Sequence, residues 1–214
     1  MPASRIYLRL AEATPQICDG DLLQFRPRRW RLGEQLTAIA GRGEHCHSAL
    51  AAWWGSEGRG QISEGRGTLM ALESRRVGIR AVTLHSQVLR FPGLIDVFET
   101  NQGETFARFS RAAMVAAMRE KTGRAYGLRL LLRTALSHTL LARLVFRARV
   151  TDNGHDTDHL GPEFCSQAIA SAARLAGGAD PVGALGDRST EPADLTRSAL
   201  FNHNGEAYRF TLVP

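Results

Sequence analysis

The stretch "HSALAAWW", residues 47–54, decides the fold. It is apolar or small at nearly every position after the histidine, has the length of a strand, and is closed by the glycine-rich "GSEGRG". A short apolar run bounded by glycines reads as a buried strand. Such a strand needs neighbours. Upstream, "QICDGDLLQF" (16–25) reads as a turn at Asp19-Gly20 followed by a short apolar strand. Between the two, "RPRRWRLGEQLTAIAGRG" has helical spacing, with Leu32, Leu36 and Ile39 on one face and Gly41 and Gly43 at its end. Downstream, "GQISEGRGTLMALESRR" returns as one or two strands. "VGIRAVTL" (77–84) alternates with period two, and "GLIDVFET" (93–100) is a further strand. The first half is expected to be a meander of antiparallel strands.

From Phe106 the period changes. "FARFSRAAMVAAMREKTG" has helical spacing and stops at Gly123. "LRLLLRTALSHTLLARLVFRARV" (128–150) is a longer amphipathic stretch in which Arg129, Arg133, Arg143, Arg147 and Arg149 flank a leucine-rich face. That composition suits an ordinary amphipathic helix, or one lying on an anionic membrane surface or over an apolar cleft. A polar loop, "TDNGHDTDHLGP" (151–162), leads into a helix that starts at or beside Cys165 and ends at Gly177-Gly178. The tail finishes in a strand, "EAYRFTLVP". With no repeat and no linker, the expectation is one α+β domain over 1–214, with 128–150 as a helical insertion.

The formal charge is +6 and the isoelectric point is near 10.0, which suits nucleic acid, a membrane surface or an anionic polymer such as cell wall. Aromatics are 7% and do not interleave with the arginines as stacking platforms would, which argues against nucleic acid. The three cysteines, Cys18, Cys46 and Cys165, cannot all pair and show no CxxC spacing, so reduced thiols and no structural zinc are expected. The N-terminus has no secretory pattern, and no uncharged run reaches the length of a membrane span. The expectation is a protein made in the cytoplasm, whose action at a cell wall would need delivery by lysis, a secretion machine or a virion.

Cys165 carries the chemistry in this reading. A thiol attacks as thiolate, and two devices lower its pKa: a helix N-terminus and an adjacent imidazole. "FCSQAIASAARLAGG" supplies the first, together with unpaired first-turn N–H groups for an oxyanion. Of seven histidines, His47 stands out because it opens the buried strand, where a general base is held rigidly. His45 is the other imidazole in reach of that role. Glu73, closing "TLMALES", is placed to orient the imidazole if its strand pairs antiparallel with 47–54, and Glu64 is the second candidate. His45-x-His47 also has the spacing of half a metal site on one strand face, but no third ligand has convincing spacing; His155, Asp156 and His159 of "GHDTDH" read as a solvated loop, and no metal is expected.

These residues carry a resemblance. Gly20-Asp21 before a strand, His47 opening a strand, Glu73 with Gly78-Ile79, Gly123 with Tyr126 after a helix, and Cys165-Ser166 starting a helix resemble the successive motifs of the circularly permuted papain-like amidases. These are the YiiX/YaeF-like relatives of the NlpC-type cysteine peptidases. The resemblance spans residues 19 to about 175 and implies a small antiparallel, barrel-like sheet with helices packed on one side. It implies Cys165 as nucleophile, His47 as base and Glu73 as the orienting group, with Tyr126, Asp21 and Ser166 lining or supporting the site. No cofactor is implied. The activity implied is that of a cysteine amidase or peptidase working through an acyl-enzyme, with peptidoglycan peptide the leading substrate. Hydrolysis or transfer of an acyl-lipid or acyl-protein is the alternative within the class. A non-catalytic basic binding or assembly module, as in a phage or secretion apparatus, is the alternative outside it.

Overall fold

The strand at 47–54 lies inside a seven-stranded sheet, as a computed structural model describing residues 6–27, 43–55, 67–75, 77–125, 163–183, 190–202 and 209–214 shows. In chain order the strands are β1 (Tyr7–Arg9), β2 (Leu22–Pro27), β3 (His47–Trp54), β4 (Thr68–Arg75), β5 (Gly78–Thr83), β6 (Gly93–Phe98) and β7 (Phe210–Val213). In space they run β1-β7-β6-β2-β3-β4-β5. All neighbours pair antiparallel except β1 and β7, which are parallel. The expected meander holds from β2 to β5. It breaks at β6, which returns to the far side of β2 instead of continuing beyond β5.

That return follows a helix the sequence reading missed, α2 (Leu84–Arg90). "LHSQVLR" is too short for its period to stand out, but Thr83 caps it by accepting from the Ser86 N–H at 3.3 Å. Because β6 goes back to β2, β5 and β1 are left as the two ends of the sheet. The sheet is open, and the expected barrel-like closure is corrected.

The helices cover both faces of the sheet, not one side as expected. On one face Leu22, Leu50, Leu72 and Phe98 pack with Met114, Val115 and Met118 of α3 (Arg111–Glu120). Ala168, Ile169 and Ala172 of α4 (Cys165–Leu175) and Leu195 of α5 (Pro192–Arg197) complete that core. On the other face Leu23, Phe25, Ala49, Ala51 and Val97 pack with Leu84 and Val88 of α2 and with Ala13, which ends α1 (Leu10–Ala13). Two covered faces explain why β3 reads as continuous apolar sequence rather than an alternation. Each fully buried leucine here contributes about 2 kcal/mol.

One contact ties the two halves of the chain together. The Ile79 N–H donates to the Arg124 carbonyl at 2.9 Å, and the Gly123 N–H donates to the Ile79 carbonyl at 2.7 Å. Gly78 permits this approach: its φ is +108°, and a Cβ there would lie 2.5 Å from the Arg124 oxygen. The turn after α3 therefore docks on the outer edge of β5. Among the described residues, no helix is long and apolar enough to cross a membrane. The helix expected within 28–42, the arginine-rich stretch 128–150, the loop 151–162, Glu64 and Tyr126 lie outside the described residues.

Candidate active site

Three element ends meet at one place. His47 is the first residue of β3, Cys165 the first of α4, and Glu73 stands two residues from the end of β4. Each is placed by a local feature. β3 and β4 pair antiparallel with Ala49 opposite Glu73, which brings the Glu73 carboxylate diagonally to His47. α4 starts at Cys165 because Phe164 is still extended, at φ −91° and ψ 173°. Glu163, just before it, is held from two sides. Its carbonyl accepts from the Ser74 hydroxyl at 2.7 Å, and its carboxylate pairs with the Lys121 ammonium at 2.8 Å. The Ser171 hydroxyl of α4 donates to the same carboxylate at 2.7 Å and also meets the Lys121 ammonium. Ser74 and Glu73 are adjacent on β4 and point to opposite faces, so one strand fixes both the start of the Cys165 helix and the partner of His47.

The constellation is a chain of hydrogen bonds. His47 Nε2 lies 3.0 Å from Glu73 Oε2. The imidazole also shares a hydrogen bond with the Cys165 thiol, and with Nε2 committed to Glu73 the nitrogen left for the sulfur is Nδ1. The sulfur further accepts from the backbone N–H groups of Ser48 and Ser166. Cys165 is buried, and the His47 side chain is only 12% exposed, so these contacts act at low dielectric.

Burial by itself would push the Cys165 thiol up. The positive charge and hydrogen bond of His47, with the two backbone N–H groups, outweigh it and hold the thiol below its ordinary value. Burial likewise opposes the charged imidazole, but the thiolate and Glu73 raise His47 above its ordinary value. The two shifts have opposite sign, which favours a thiolate–imidazolium pair. Burial raises Glu73 too, yet its hydrogen bond and ion pair with His47 and the charge of Arg75 bring it down to about 2.

Glu73 has more partners than orienting an imidazole requires. Oε2 accepts from His47 and, at 2.8 Å, from Arg75 Nε. Oε1 accepts two N–H groups of Arg80, at 3.0 and 2.8 Å, and the Gln87 amide of α2 at 3.0 Å. Arg75, Arg80 and Gln87 were not singled out from sequence. A signal existed for Arg75, which shares the face of Glu73 by alternation; Arg80 meets Glu73 only through the register of the β4–β5 hairpin.

The other expected site residues fall elsewhere. The Ser166 N–H reaches the sulfur, but its hydroxyl donates to the Thr190 carbonyl at 2.6 Å and anchors α4 instead of lining a cleft. Asp21 lies at the opposite end of the sheet, where its carbonyl accepts from the Ala51 N–H. Ala51 is four residues along β3 from His47, about 13 Å at a strand's rise. There the Asp21 carboxylate accepts from the Cys18 and Thr100 N–H groups and from Arg111 at 2.9 Å, a brace for the turn rather than a site residue. Burial raises its pKa to about 6 against the pull of Arg111. The one-face reading of His45-x-His47 is also corrected. β3 begins only at His47, and His45 turns to Asp96, 2.9 Å away, on the face opposite Glu73. Asp96 also accepts from Arg26 and Thr211, which makes His45 part of a separate buried network. None of the three cysteines is in a disulfide. No group of three or more possible metal ligands occurs among the described residues.

No family model matches the chain, and neither does any curated protein.

Proposed function

We propose that the protein is a thiol hydrolase acting on amides or esters through an acyl-enzyme at Cys165. The observation that carries this reading is the hydrogen-bonded series Cys165–His47–Glu73, in which the thiol is held below and the imidazole above their ordinary values. The thiolate attacks the acyl carbon, and the developing oxyanion takes the Cys165 N–H, which as the first of α4 has no acceptor within the helix. His47 passes its Nδ1 proton to the leaving amine or alcohol. Water, deprotonated by the same nitrogen, then attacks the acyl carbon, breaks the carbon–sulfur bond to release the acid, and restores the thiolate–imidazolium pair. Glu73 keeps Nε2 bonded and so fixes the ring and its charge.

The order His47, Glu73, Cys165 and the resemblance to the circularly permuted papain-like amidases support a permuted papain-like arrangement as the finer description of the fold. By the same analogy peptidoglycan peptides are the first substrates to try, with acyl-lipids and acyl-proteins next.

Alkylation by iodoacetamide, followed for each cysteine by peptide mass spectrometry against pH, tests the reading. Cys165 is expected to titrate well below the ordinary thiol value of about 8.5. In His47→Ala, where burial acts without the imidazole, its apparent pKa rises above that value. A Cys165 that reacts like an ordinary thiol, indifferent to His47, overturns the proposal.

A further inference from the structure

We infer that Arg75 and Arg80 form an anion subsite beside Cys165, and that the substrate is an amide or ester carrying a carboxylate near the bond that is cut. This rests on the hydrolase reading and names its substrate class. Glu73 accepts five hydrogen bonds, more than the roughly four lone-pair positions of a carboxylate, so it is saturated. Arg75 spends its Nε on Glu73 and one further nitrogen on a 3.4 Å contact with Gln87. Arg80 spends Nε and one terminal nitrogen on Glu73. Neither guanidinium has another hydrogen-bond acceptor among the described residues. Their side chains are 35% and 42% exposed, whereas Glu73 is fully buried and His47 nearly so. The spare N–H groups therefore belong to solvent or to a ligand.

Charge points the same way. Thiolate and imidazolium cancel, and one carboxylate faces two guanidiniums, so the constellation keeps a net positive charge. Orienting His47 needs no such excess, and the Arg75 charge works against it by lowering the pKa of the base. Arg75 is also close to His47, with which it shares Glu73 Oε2. Its Cζ lies 5.7 Å from the centre of the Phe25 ring, and that ring packs 5.0 Å from the His47 ring. A planar guanidinium with free N–H groups beside the base matches a carboxylate in shape and charge.

The probe pair is iodoacetate and iodoacetamide, which differ by one charge. In both cases the Cys165 thiolate displaces iodide and forms a sulfur–carbon bond. The ratio of the two rates cancels changes in thiolate content, and Cys18 and Cys46 serve as internal references. The ratio at Cys165 is expected to exceed theirs and to fall as ionic strength rises. It should drop roughly fivefold in Arg75→Gln or Arg80→Gln, the effect of one unit charge acting over about 8 Å at intermediate dielectric, and recover in Arg75→Lys. An activated Cys165 whose ratio is the same in wild type and in both glutamine variants overturns the anion subsite and leaves the hydrolase reading standing. A Cys165 with no enhanced rate toward iodoacetamide overturns both. Urea unfolding of each variant confirms that the ratios come from folded protein.

Discussion

Replacing Glu73 with glutamine tests whether the buried carboxylate stabilises the fold as well as holding the His47 ring. Its pKa is held at about 2 against an ordinary 4.5, and at about 1.4 kcal/mol per pH unit that difference is worth about 3 kcal/mol. The folded-state pKa is depressed, so the contribution is fully present above pH 4.5 and is lost as pH falls from there toward 2. Glu73→Gln keeps the shape and one acceptor oxygen, which can serve Arg75 or Arg80 but not both, and removes the charge. The variant is therefore expected to be less stable than wild type by up to about 3 kcal/mol at pH 7, with the gap closing as the wild-type carboxyl takes up its proton. With a urea slope of about 2 kcal/mol per molar, the midpoint falls by roughly 1.5 M at pH 7, and the two proteins converge in acid. Urea unfolding followed by tryptophan fluorescence at pH 7 and pH 3 measures both points. A gap equally large at both pH values, or one within error of zero at pH 7, refutes the reasoning: the arginines and the imidazole would then not be holding an ionised carboxylate.

Two further perturbations probe the braces around the site and at the far end of the sheet. Asp21 has the opposite linkage, since its folded pKa of about 6 lies above its ordinary 3.8. The native state takes up the proton first, so wild type should gain up to about 3 kcal/mol between pH 6 and pH 4. Asp21→Asn should lack that gain, and equal pH slopes in the two proteins, by urea unfolding, would count against it. Lys121→Met leaves the Glu163 carboxylate buried without its cation and is expected to cost about 3–5 kcal/mol. Adding Glu163→Gln should restore most of the loss, and thermal unfolding of the single and double variants at neutral pH decides it.

The strand β3 was legible from sequence because burial on both faces writes itself as an unbroken apolar run, and β5 because its residues alternate with period two. The reading of 47–54 as a strand agrees with β3 residue for residue. The Cys165 helix was legible for a different reason: a Gly-Pro pair in the sequence on one side and paired glycines on the other bound a run of good helix formers. Short elements were not. β1 and α2 hold too few residues for a period to emerge, and β1 acquires its partner only when β7 arrives from the other end of the chain.

The site divides along the same line. The sequence by itself determined which residue types could form a thiol–imidazole–carboxylate series, and that each stood at the end of an element where it could be held rigidly. Only the tertiary structure decided which histidine and which other residues take part. His45 and His47 are two residues apart with the same chemistry, yet one binds Asp96 and the other Glu73, because the strand begins between them and sends them to opposite faces. Asp21 looked like a site residue until register placed it four residues down the sheet from His47. Arg75 and Arg80 were invisible as a pair for the converse reason. Their meeting at Glu73 depends on a hairpin register, and register is set by how strands bury their faces rather than by any residue alone.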